Sequence, residues 1–130
     1  MAGSSSRQKY PSALHNEPRP FLVAGSFETN STNAPANARG RGYTVARTAV
    51  GTFTLTFPDK YSQLVSAVGS VQSTAENDAY VEFGDYDSST GVLTIRVMGA
   101  ATNGEIELDG PRVNFQLVFQ IQGGLAKTFE

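Results

Sequence analysis

Arg112-Val113-Asn114-Phe115-Gln116-Leu117-Val118-Phe119-Gln120-Ile121 alternates without a break. Val113, Phe115, Leu117, Phe119 and Ile121 fall on one side, and Asn114, Gln116, Val118 and Gln120 on the other. Side chains of a strand point to opposite faces with period two, whereas a helix repeats every 3.6 residues. The stretch is therefore a strand with one buried face, ended by Gly123-Gly124.

The same period runs backwards along the chain. Val92 to Met98 is a strand with Leu93, Ile95 and Val97 inward, joined to Ala79–Tyr86 by the hairpin connection Asp87-Ser88-Ser89-Thr90-Gly91. Phe53, Leu55 and Phe57 alternate with Thr52, Thr54 and Thr56 until Pro58-Asp59 stops the run, and Tyr43 and Val45 open an earlier one. Leu64 to Thr74 is a longer, mostly apolar strand in which Gly69 reads as a bulge. Glu105 to Leu108 is a short strand between the turn signals Asn103-Gly104 and Asp109-Gly110. Phe21 to Phe27 is a further strand, followed by the polar stretch Thr29 to Gly42. Asp59 to Gln63 has room for one helical turn, and no other segment has helical periodicity. About eight antiparallel strands separated by turns predict an all-β fold, a jelly-roll-like β-sandwich over residues 21–130. Pro11, Pro18 and Pro20 predict an extended N-terminal arm over residues 1–20.

Composition excludes much of catalysis. The chain of 130 residues has no Cys and no Trp, and its one His is His15, in the arm. That leaves no thiolate metal site, no cysteine nucleophile and little acid–base capacity near neutral pH. No Gly-x-Ser-x-Gly elbow and no phosphate-binding loop is present, so the sequence predicts no enzyme and no cofactor. No apolar run approaches the ~18 residues of a membrane span. Arg39-Gly40-Arg41-Gly42-Tyr43 resembles a nucleic-acid segment only in passing, and it precedes an acidic body. Asp85 and Asp87 resemble part of a calcium loop, but the glycine and distal glutamate of that loop are not at the required spacing. A hairpin turn held by Asp side chains is the better reading.

Charged residues are only 17% of the chain, against a typical ~25%. They are unevenly placed: residues 1–42 hold five basic and two acidic side chains, and the remainder five basic and ten acidic. The outward strand positions are polar but largely uncharged. Monomeric sandwiches protect such positions with Lys and Glu. Thr52, Thr54, Thr56, Asn114, Gln116 and Gln120, with Arg96 beside them, are therefore expected at an interface between copies of the chain. Arg96 is expected to reach Glu82 on a neighbouring strand, and Arg112 to pair with Asp109.

Gly42 to Phe57, Asp85 to Ile95 and Arg112 to Phe119 together resemble the small jelly-roll decoration, or cement, proteins encoded among tailed-phage structural genes. The arrangement is also similar to trimeric jelly rolls of the C1q and tumour-necrosis-factor type. The resemblance spans residues 21–121 and carries no catalytic residues. It implies a homotrimer on the outer surface of the virion, bound to the major capsid protein, with neither nucleic acid nor membrane as partner. Arg7, Lys9, Tyr10, Leu14, Arg19, Arg39 and Arg41 would form its capsid-binding arm. The alternatives are a receptor- or glycan-binding fibre module, with Tyr80, Tyr86 and Asp87 at its site, and another virion structural subunit.

Overall fold

The computed structural model describes residues 20–120, all strand, turn and loop. Nine strands follow in chain order among them. They are β1 (Pro20–Asn30), β2 (Ala36–Gly40), β3 (Thr44–Ala49), β4 (Thr52–Thr56), β5 (Gln63–Gln72), β6 (Ala79–Asp87), β7 (Val92–Gly99), β8 (Gly104–Glu105) and β9 (Asp109–Gln120). One sheet has the order β2-β1-β9-β5 and the other β3-β4-β7-β6, with the two-residue β8 added to β7. All pairings are antiparallel. The two sheets pack face to face as a β-sandwich. The strand order supports that description and not the finer jelly-roll one, because the hairpins β1–β2 and β3–β4 each stay within a single sheet.

The alternating stretches supply the core. Leu93, Ile95 and Val97 of β7 are fully buried, as are Val113, Leu117 and Phe119 of β9. Phe53, Leu55 and Phe57 meet them from β4 and its end. Burying each such side chain stabilises the fold by about 1.5–3 kcal/mol. Phe119 centres an aromatic cluster at one end: Tyr61 stacks on it at 4.5 Å, with Phe57 at 4.9 Å and Tyr86 at 5.1 Å. The Tyr86 hydroxyl donates to the Tyr61 carbonyl at 2.8 Å, which satisfies its polar end inside the cluster.

Several local expectations are corrected. Gly69 is no bulge: it pairs in register with Phe115, and the extra residue of β5 is Val65, between Leu64 and Ser66. Gly69 is there for close approach. A Cβ on it would stand 2.8 Å from Val81 and 3.0 Å from Phe83 of the opposite sheet. Gly25 holds the matching place on the other side of Phe115, where a Cβ would meet the Tyr43 ring at 2.6 Å. The polar stretch after residue 28 contains strand β2, which its lack of apolar alternation concealed. The short strand before Asp109 is Gly104–Glu105 rather than 105–108. Residues 57–61 make a turn and no helix. Arg112 pairs with Glu28 at 3.2 Å, not with Asp109, since the register of β9 on β1 sets Arg112 directly opposite Glu28.

Candidate functional site

The pleat of β1, β9 and β5 sends every second residue outward, and the register aligns those residues in rows. Leu22, Val118 and Ser66 form one row. Ala24, Gln116 and Val68 form the next, and Ser26, Asn114 and Ser70 the third. Glu28, Arg112 and Gln72 close this face at one end, and Pro20, Gln120 and Gln63 at the other. On these three strands no charged side chain lies in the three rows between, and Arg39 of β2, paired with Ser26, is the charge at the outer end of the third row. Leu22 is 61% exposed and Val68 65%, so two large aliphatic side chains stand on the face in contact with solvent. Val65 and Phe21 are exposed beside them. A shallow depression of about 280 Å³ lies over the middle of this sheet, lined by Ala24, Val68, Ser70, Asn114 and Gln116 among others. Exposed apolar side chains grouped on one sheet, without charge among them, mark a protein-binding surface more often than a solvated one.

The charged rim is closely bonded. The Arg112 guanidinium is buried and donates to Ser26 Oγ at 2.7 Å, to the Asn37 carbonyl at 3.1 Å and to Glu28 at 3.2 Å. Asn37 Nδ2 donates to the other carboxylate oxygen of Glu28 at 2.8 Å. The Asn37 amide first, and then Arg112, hold the Glu28 carboxyl below its usual range. Two β1 residues, a β2 backbone group and a β9 side chain are thereby tied together at one end of the sheet.

The residues expected at an oligomer interface divide between two surfaces. Asn114, Gln116 and Gln120 belong to the face just described. Thr52, Thr54 and Thr56 are half-buried on β4, on the outer side of the opposite sheet, where Thr52 faces Arg96 and Thr54 faces Thr94. Arg96 spends its charge within the chain: it donates to Glu82 at 3.1 Å, the cross-strand pair read from the sequence. The structure therefore does not bring the Thr row and the Asn/Gln row together, and only the second shares its face with exposed aliphatic side chains. Arg39 lies exposed on β2 and Arg41 exposed in the turn after it. Arg7, Lys9, Tyr10, Leu14 and Arg19 lie outside the described residues, as does Ile121.

Tyr80, Tyr86 and Asp87 do not converge on one concave site. Tyr80 is 41% exposed, while Tyr86 packs inward against Phe119. Asp87 is occupied in its own turn, accepting from the Ser89 amide at 3.0 Å and the Ser89 hydroxyl at 2.7 Å. Those bonds lower the pKa of its carboxyl. Among the described residues, no three His, Asp or Glu side chains are grouped to hold a metal ion.

Sequence alone does not distinguish the exposed Leu22, Val65 and Val68, because apolar residues in a strand read as core. A signal was nonetheless present: no charged residue occurs between Lys60 and Glu76. A strand with no charge on either face lacks the usual mark of a solvated side. No family model matches the chain, and no curated protein or solved structure matches it significantly.

Proposed function

We propose that this chain is a virion structural protein whose work is adhesion: a homo-oligomeric decoration protein on the outer surface of a tailed-phage head, where it stabilises contacts between major capsid subunits. The observation that carries the reading is the uncharged middle of the outer face of β1, β9 and β5, with Leu22 and Val68 exposed upon it. A face of this kind loses little on desolvation when protein covers it, because it holds no ion to strip of water. The basic excess of residues 1–42 over an acidic body adds an electrostatic means of orienting the chain on its partner. Several copies joined in one oligomer multiply a modest affinity through effective concentration. No catalytic group is needed for this role.

The test is addition of the full chain to phage heads assembled without it, followed by sedimentation. Co-sedimentation at saturable occupancy and raised resistance of the heads to heat support the reading. Heads that pellet free of the protein overturn it. Removal of residues 1–20 is expected to leave a folded oligomer that no longer binds heads. A truncated chain that decorates at full occupancy would remove the arm from the reading and leave the sheet face as the docking surface.

A further inference from the structure

Apart from the two-residue β8, the sandwich has four edge strands, β2, β5, β3 and β6, and three of them carry devices that oppose strand addition. β2 is five residues long, contains Arg39, and has left-handed backbone at Asn37 (φ 49°) and Gly40 (φ 102°). β3 is six residues long, holds Arg47 and is bulged between Arg47 and Ala49. β6 bears Glu82, Asp85 and Asp87 and shifts register between Phe83 and Tyr86. β5 is different. It runs for ten residues with no charge and no proline, and it pairs with β9 without a break from Ser66 to Gln72. Val68 is 65% exposed on it, and among the described residues no strand pairs with its other side.

We infer that β5 is the self-association edge of this protein, pairing antiparallel with β5 of a second copy about a two-fold axis to make one eight-stranded sheet. The sequence of the strand fits itself in that arrangement. The register that pairs the whole regular run 66–72 sets Gly69 opposite Gly69 of the second copy. Ala67 then meets Val71, Val68 meets Ser70 and Ser66 meets Gln72. Each larger residue faces a small or polar one, the outward and inward faces of both copies stay aligned, and no like charges meet. The same pairing with β6 would set carboxylates close to one another, and with β3 arginines. A second copy is the occupant that the strand's own chemistry selects, through an isologous contact of the kind that closes dimers.

This inference stands apart from the capsid reading. A chain that dimerises but ignores phage heads leaves it intact, and a decorating trimer overturns it alone. The experiment is sedimentation of the full chain, combined with disulfide trapping. The wild type is expected at twice the mass of the 13.8 kDa chain. A mixture of Val68→Cys and Ser70→Cys chains is expected to form a covalent heterodimer under mild oxidation. Ser66→Cys alone is expected to stay unlinked, since its two copies lie about 20 Å apart at ~3.3 Å per residue. These positions are exposed, so circular dichroism should show all variants folded. Leu22→Lys, on the outer face but two strands from the edge, should leave the dimer intact. A monomeric or trimeric wild type overturns the inference. So does a dimer that resists trapping at 68 and 70, or one that Leu22→Lys dissolves.

Discussion

Arg112 on β9 lies directly opposite Glu28 on β1, and its guanidinium reaches the Glu28 carboxylate at 3.2 Å while also bonding Ser26 Oγ and the Asn37 carbonyl. The pair joins residues 84 positions apart in the chain and fixes one end of the sheet that carries the candidate interface. Arg112 is 9% exposed, so its charge depends on these partners.

Arg112→Ala is therefore expected to cost about 2–3 kcal/mol, because it leaves the Ser26 hydroxyl and the Asn37 carbonyl without their donor and Glu28 without its counter-charge. Arg112→Lys should recover only part of that, since an ammonium lacks the planar fork that serves three acceptors. Urea unfolding of the two variants against the wild type measures both.

Acidification should weaken the fold. The Glu28 carboxyl is held low by Asn37 and then Arg112, Glu107 by its paired bonds to Arg47 at 2.7 and 3.1 Å, and Asp87 by Ser89. A carboxyl with a lowered folded pKa contributes stability above its unfolded pKa and loses it as pH falls through the folded value. The unfolded references are 4.5 for Glu and 3.8 for Asp, so Tm should be level above pH 5 and fall progressively below pH 4.5. Glu28→Gln with Glu107→Gln should flatten that slope in a thermal series across pH.

The two glycines beside Phe115 should differ in tolerance. Gly69→Ala presses on the tip of the Phe83 ring and on Val81 Cγ1 and Cβ, side-chain atoms of the opposite sheet that can give by small shifts, and is expected to cost about 1–2 kcal/mol. Gly25→Ala places its Cβ 2.6 Å from the Tyr43 ring and 2.8 Å from the Arg39 carbonyl, and backbone gives way less readily. It should cost about 3 kcal/mol. Equal losses in denaturant titrations would contradict this account of the close approach.

The outer faces should separate in a binding assay. Leu22→Lys and Gln116→Lys fall on exposed positions and should change stability by no more than about 0.5 kcal/mol. Each should nonetheless lower occupancy on phage heads at least tenfold, by burying an unpaired ammonium. Thr54→Glu, on the opposite sheet, should leave occupancy unchanged. Loss with Thr54→Glu and none with Gln116→Lys would move the docking surface to the β4 side.

The sequence was most informative where one face is buried. Val113, Phe115, Leu117 and Phe119 alternate in β9 as they do in the sandwich, and Leu93, Ile95 and Val97 point inward. β2 was hidden because Ala36–Gly40 is exposed or nearly so along its whole length and has no inward set to write into the sequence. Nearness in sequence points Arg112 to Asp109, whereas its partner is set by which strand lies beside β9.

The chain by itself determined strand existence, strand facing and the poverty of charge, because each is a property of local order: period two, turn residues and residue type. Neighbourhood was decided only by the tertiary structure. β9 lies between β1 and β5, and that alone carries Asn114 and Gln116 onto a face with Leu22 and Val68 while leaving Thr52, Thr54 and Thr56 on the far side. Alternation says that a residue points out of a sheet, but not out of which one, because pairing between strands is settled by the packing of the whole core.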